Sequence, residues 1–346
     1  MIGVGIIGFG RIGAEHAAWL DHANGIRAVA VADGTPARQE LAQARSLRVY
    51  TTIEQLLDDR EVSVVLVATP TAMHFEHAAA ALSAAKHVMI EKPMALDLVQ
   101  SRDLVELAAS RNLVLSIFHN RRWDLDYLTV RQAVQSGIFG KLINVESRLG
   151  QWSSCVGPAA REYRPNWRNE AAFGGGGLYD WGSHFVDQIW RLLSPAKPVR
   201  VFAQLRGNVW SSDCDDFARV CIDFDNGVVG LVEINTTTTK PLPRWHLDGT
   251  AGSADSPFSL EFKLERWSEV DFTPATGGAV KRLPLASEIL NEAKIWERFA
   301  SAVRGEGTPA VDARSVLCTM ALLDAAGRSS REGCAVDLGS AVDWVY

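Results

Sequence analysis

Three side chains near the middle of the chain have the types and spacing to handle protons. Asp180, His184 and Asp187 follow a run of four glycines, residues 174–177, and stand at i, i+4 and i+7. A helix through them presents all three from one face, with Arg191 extending that face. Trp181, Phe185, Ile189 and Leu192 then form an apolar stripe to one side. Two carboxylates and an imidazole on a packed helix make a platform for acid–base chemistry. An ordinary amphipathic helix with its polar face in water has the same spacing. Only other elements that bring chemistry to the same place separate the two.

Such elements stand at the start of the chain. An apolar strand at residues 2–7 runs into Gly8-Phe9-Gly10-Arg11-Ile12-Gly13 and then a helical stretch, residues 14–20. This is G-x-G-x-x-G in its strand–turn–helix setting. Gly8 allows the tight turn, Gly10 lets a pyrophosphate approach the backbone, and Gly13 lets the helix pack on the strand. The helix N-terminus offers N–H groups and a positive dipole end to phosphates. A second strand at 26–32 ends in Asp33, placed to accept hydrogen bonds from the adenosine ribose and to disfavour a 2′-phosphate. Arg38 lies nearby, so NAD is the expected cofactor and NADP is not excluded.

Helix and strand go on alternating. Residues 52–59 read as a short helix, 62–67 as a buried strand ending at Ala68-Thr69-Pro70, and 71–85 as a helix. A strand at 87–90 ends in Glu91-Lys92-Pro93; a helix at 97–110 and a strand at 113–118 follow. Ligands of open α/β sheets sit beyond the carboxyl ends of the strands, where Gly8, Asp33, Thr69, Glu91, Lys92, His119 and Asn120 all fall. A lysine partly desolvated beside a bound cofactor becomes usable as an acid or base, which singles out Lys92. The local sequence does not encode whether Pro93 is cis.

From residue 119 the character changes. Arg121 and Arg122 either reach the site or tie two halves together. A helix at 125–136 and a strand at 142–150 lead to an irregular segment, 151–173, rich in arginine and aromatics. Aromatic faces beside hydrogen-bonding groups suit a polyhydroxylated ring, so Asn120, Arg121, Trp152, Tyr163 and Trp167 are the candidate substrate residues. Strands follow at 199–206, 216–224, 228–237 and 244–249, with a hairpin turn at Asp225-Asn226-Gly227. Thr236 to Thr239 are expected on an exposed part of this sheet. Short strands are expected near 258–262 and 269–272, and helices at 287–304 and 312–329.

With 346 residues, two domains are expected, divided as 1–119 and 120–346. Apolar content of 47% and a net charge of −6 without a basic run argue against nucleic acid or an anionic membrane as partner. No stretch reads as a signal peptide or a membrane span, and five scattered cysteines without a CxxC pair point to reduced thiols in a cytoplasm. No metal site is expected.

Gly8–Gly13, Asp33, Ala68-Thr69-Pro70 with His74, Glu91-Lys92-Pro93 and the 174–187 stretch together resemble the Gfo/Idh/MocA family (glucose–fructose oxidoreductase, inositol dehydrogenase, rhizopine catabolism). The resemblance covers nearly the whole chain. It implies an α/β N-terminal Rossmann domain with a parallel, doubly wound sheet. It also implies a C-terminal α+β domain whose large, open, mostly antiparallel sheet makes homodimer or homotetramer contacts. Lys92, Asp180 and His184 match the family's catalytic lysine, aspartate and histidine. The implied activity is NAD(P)-dependent oxidation of a secondary alcohol of a sugar or cyclic polyol. His184 is then the base, Lys92 the group on the reacting oxygen, Asp180 a substrate-binding or tuning residue and Asp187 structural. A glycosidase using transient oxidation with retained cofactor, and a dinucleotide-sensing regulator, are the alternatives.

Overall fold

The computed structural model describes residues 1–155, 167–240, 242–257, 268–287 and 289–339. The first part alternates strand and helix: β1 (Ile2–Ile7), α1 (Arg11–Leu20), β2 (Ile26–Ala32), α2 (Pro36–Ala44), β3 (Arg48–Tyr50) and α3 (Ile53–Leu57). It continues with β4 (Val64–Val67), α4 (His74–Ser83), β5 (His87–Ile90), α5 (Leu98–Ser110) and β6 (Leu115–Ile117). The six strands form one parallel sheet in the order β3-β2-β1-β4-β5-β6. All four residues of β4 are buried, because helices cover both faces of the sheet. The order reverses between β1 and β4, which opens a crevice at the carboxyl ends of those strands.

The second part is built from α6 (Leu125–Gln135), β7 (Leu142–Gly150), α7 (Ser183–Leu193), β8 (Pro198–Arg206), β9 (Phe217–Phe224) and β10 (Val229–Asn235). After these come β11 (Trp245–Gly249), β12 (Gly252–Asp255), β13 (Asp271–Pro274), β14 (Lys281–Arg282), α8 (Glu292–Val303), α9 (Leu317–Glu332) and β15 (Val336–Asp337). Nine strands pair in the order β14-β13-β12-β11-β7-β10-β9-β8-β15. Every pair is antiparallel except β7 with β10. A parallel pair needs a long crossover, and the segment between β7 and β10 contains α7. One sheet face buries Val201, Ala203, Val220, Ile222 and Val232 in a core shared with Phe185 and Ile189 of α7 and Leu322 of α9.

The structure changes several expected boundaries. Residues 34–50 hold α2 and β3, which the sequence pattern does not announce; α2 buries only Ala42, so no apolar stripe marks it. The helix expected from 287 starts at Glu292, where Asn291 accepts the backbone N–H of Lys294 as its cap. That helix, α8, packs Ile295, Trp296, Phe299 and Ala300 onto Val4, Ile6, Val31 and Leu66 of the first sheet. Strand β10 stops at Asn235, whose Oδ1 accepts the N–H of Thr237. Thr236 is buried and donates to the Asp216 carbonyl, so this threonine run is no exposed sheet. The strand expected near 258–262 and Tyr163 lie outside the described residues.

Candidate active site

The cradle comes first. At Gly8, φ is +89° and a Cβ would lie 2.9 Å from the Ala68 carbonyl; a Cβ on Gly13 would lie 2.2 Å from that of Gly8. Both positions therefore exclude any larger residue. Gly10 caps α1 with no side-chain hydrogen bond, so the first N–H groups of the helix are left for a ligand. Asp33, at the end of β2, accepts the Phe9 N–H at 2.7 Å and the Thr35 N–H at 2.8 Å. Arg38 Nη1 lies 3.6 Å from its carboxylate. A diphosphate on free helix N–H groups and a ribose on a fixed carboxylate fit this arrangement. Phe9 and Gly13 support the cradle from behind, whereas Gly8, Gly10, Arg11, Ile12, Asp33 and Arg38 line it.

A cavity of about 770 Å³ runs from that cradle across the strand ends to α7. Ala68, Thr69, Pro70, Lys92, Asn120, Arg121, Trp167, Asp180 and His184 all line it. The Lys92–Pro93 bond is cis. Lys92 Nζ donates to Asp180 Oδ1 at 2.9 Å and to the Asp180 carbonyl at 2.8 Å. Arg168 Nε lies 3.5 Å from the same Oδ1. Burial pushes the Asp180 carboxyl up, but the charges of Lys92 and Arg168 outweigh this and hold it below the ordinary range.

His184 is buried, and its Nδ1 has no hydrogen-bond partner. Burial first, then the charges of Lys92 and Arg121, hold its pKa well below the ordinary imidazole value. The ring is therefore neutral near neutral pH. His119 meets it edge-on at 5.4 Å and is likewise neutral, burial lowering its pKa to about 4.

Asp180 and His184 share the cavity but not one regular helix. Leu178–Gly182 is a π-helical turn, and α7 begins only at Ser183. Asp187 does not reach the cavity. It is fully buried against Arg122, whose Nε and Nη2 each donate to it at 2.7 Å. This also separates the two arginines. Arg122 ties α7 to Ser315 in the turn before α9, while Arg121 lies over the Trp181 ring at 4.6 Å and lines the cavity. Trp181 is thus a wall of the site as well as part of the apolar stripe, its ring 6.2 Å from that of Phe185.

Other expectations need correction too. Trp152 is 56% exposed, packs against Trp210 and does not line the cavity. His74 lines the cavity, and its ring nitrogens lie 2.8 Å from the Pro93 carbonyl and 2.9 Å from that of Thr69, so this residue also joins two strand-end loops. Glu91 lines the cavity, but its carboxylate is engaged by His16 and by the Lys92 N–H. The glycine run makes room for protein, and Gly174 at its start also lines the cavity. Gly176, at φ +101°, donates to the Arg168 carbonyl, and a Cβ there would lie 2.2 Å from Asp215 Oδ1. Asp215, which no sequence pattern marked, accepts the Leu178 N–H at 2.8 Å and anchors the π turn. Arg168 was visible only as one arginine among several in its segment. Among the described residues no cluster of three metal-binding side chains occurs, and no helix is long and apolar enough to cross a membrane.

Comparison with known proteins adds sequence-wide likeness to this geometry. The family model described as "Oxidoreductase family, NAD-binding Rossmann fold" of GFO_IDH_MocA matches residues 2–119, and the GFO/IDH/MocA C-terminal domain model matches 127–255. The uncharacterised oxidoreductase YdgJ of Escherichia coli is 33% identical over 61% of this chain and 60% of its own. The scyllo-inositol 2-dehydrogenase (NADP(+)) IolW of Bacillus subtilis is 28% identical over 64% and 60%. The chain spans between 47% and 60% of the length of several such curated relatives. The crystal structure of an NAD-binding protein from Listeria innocua superposes with a TM-score of 0.87 at 26% identity, covering 98% of both chains.

Proposed function

The chain belongs to the Gfo/Idh/MocA oxidoreductase family, and from that premise we propose that it oxidises a secondary alcohol of a sugar or cyclic polyol. One observation carries the reading. Lys92 and Asp180, 88 residues apart, meet at 2.9 Å in a cavity continuous with the dinucleotide cradle, and His184 lines the same wall. A nicotinamide held there would supply the hydride acceptor. The chain's own residues bind the alcohol and handle its proton. Lys92 has three N–H donors and spends two on Asp180, which leaves one for the reacting oxygen. Its charge stabilises alkoxide character there. Neutral His184 accepts the hydroxyl proton, and the surrounding cations make it release that proton readily. Asn120, Arg121 and Trp167 line the same cavity, and in this reading they meet the remaining hydroxyls. The name of the relative IolW supports an inositol-like ring.

His184→Ala should lower kcat by about 10²–10⁴-fold with a responsive polyol, read from the absorbance of reduced nicotinamide. Turnover within a few-fold of wild type would remove His184 from the chemistry. Reduced cofactor should accumulate one-to-one with substrate, whereas a glycosidase that retains its cofactor would cleave aryl glycosides without such accumulation.

Self-association through the large sheet belongs to the same reading. Phe202, Cys221 and Leu231 lie side by side across β8, β9 and β10 on the face opposite the core, and Phe202 is 41% exposed. Light scattering coupled to size-exclusion chromatography should return twice or four times the chain mass. A single-chain mass at micromolar concentration would reject the interface.

A further inference from the structure

A buried carboxylate is costly unless its oxygens are engaged, and Glu91 at the end of β5 is 7% exposed. Its Oε2 accepts the backbone N–H of Lys92 at 3.1 Å. Its Oε1 lies 2.7 Å from Nε2 of His16 on α1. The His16 ring has no exposed surface and is met edge-on by Trp19, Phe118 and Trp296. Its tautomer follows from its other nitrogen. Trp296 Nε1, on α8, lies 3.1 Å from His16 Nδ1, and an indole N–H only donates. Nδ1 therefore carries the lone pair and Nε2 the proton, which is donated to Glu91.

We propose that Trp296, His16 and Glu91 form a relay that positions Lys92 for the reaction. The lysine is held at both ends: its main chain by Glu91, its ammonium by Asp180. His16 and Trp296 do not line the cavity; their hydrogen-bonded route to it runs through Glu91, while Trp19 and Phe118, packed edge-on against the His16 ring, form part of its wall. The chain of hydrogen bonds begins on α8, which belongs to the second half of the sequence yet packs on the first sheet. The seating of that helix is thereby transmitted to the reacting group. Glu91 is the hinge of the device. Without the His16 donor its carboxylate keeps a single hydrogen bond in a buried place, and burial then favours the protonated form, which binds the Lys92 N–H less well.

The proposal rests on the placing of Lys92 at the reacting centre. His16→Phe should lower kcat roughly 10- to 100-fold, with KM for the dinucleotide changed less than about threefold, as expected for a displaced catalytic group. The acid limb of the kcat profile should move to higher pH, because Glu91 protonates earlier. His16→Gln, whose amide both accepts from Trp296 and donates to Glu91, should recover most of the loss and restore the limb. Equal losses in the two variants, or an unmoved pH profile, would overturn the relay. Trace acetylation of Lys92, followed by peptide mass spectrometry across pH, reads the same positioning without turnover. It should change in His16→Phe and return in His16→Gln; identical labelling in all three proteins would refute the relay. A wild-type enzyme that oxidises no polyol would sink the dehydrogenase reading alone, and the labelling would still judge the relay.

Discussion

Lys92→Met is expected to lower turnover by about 10³-fold or more while leaving dinucleotide binding within a few-fold. Methionine keeps most of the volume and removes the charge and its donors. The loss has two parts. No ammonium faces the reacting oxygen, and Asp180 retains only the longer contact with Arg168 as an ionic partner. A second readout separates this from simple misfolding. The Lys92 charge is one of the causes that depress His184, after burial, so its removal should move the His184 pKa upward. Residual activity should then fall off at higher pH on the acid side than in the wild type. Stopped-assay kinetics across pH, with nucleotide binding followed by tryptophan fluorescence, make the comparison. A kcat within tenfold of wild type would mean that Lys92 is merely a lining residue.

Asp187→Ala is expected to be the most destabilising single change near the site, by about 3–5 kcal/mol, because it leaves the Arg122 guanidinium buried without its counter-ion. Arg122 would keep Ser315 as a partner, and Thr319 Oγ1 would lose the acceptor it now reaches at 2.8 Å. The pH dependence has a definite sign. Burial raises the Asp187 carboxyl, but Arg122 dominates and holds it far below the ordinary range. Its stabilisation is therefore complete above the unfolded carboxyl pKa of about 4 and fades as pH falls toward the lower folded value. Urea unfolding at neutral pH tests the magnitude. The double variant Arg122→Met/Asp187→Leu should recover much of the loss, since paired apolar replacement leaves no lone buried charge. A single-variant effect below about 1 kcal/mol would show that water reaches the pair.

Period and punctuation carried the fold far. The strand before Glu91 and the nine residues of β7 stand where their patterns put them, and β4 keeps the last four residues of the run expected at 62–67. The glycine spacing likewise marked the cradle, because steric need at Gly8 and Gly13 is local. What was not legible depended on distant partners. Asp187 and His184 share one face of a helical wheel, yet Arg122 claims one and the cavity the other. Trp181 reads as core and does pack against it, but nothing local in the sequence shows that Arg121 lies over its other side at the cavity. Arg168 joins Asp180 only because the glycine run lets the backbone of 168–170 pass close by. Glu91 looked like a ligand-facing acid because nothing near it in sequence announces His16.

The π turn at Leu178–Gly182 makes the site depend on a residue count as well as on residue identities. A π turn holds one residue more than an α turn would, and each α-helical residue advances the side-chain direction by about 100°. Removing one residue of the turn other than Asp180 or Trp181 would let it relax to α geometry and swing Asp180 away from Lys92, with the named site side chains still present. A variant shorter by one residue here thus loses the pair without losing the motif. Insertions and deletions, more than substitutions, are the changes to which this corner of the molecule is least tolerant.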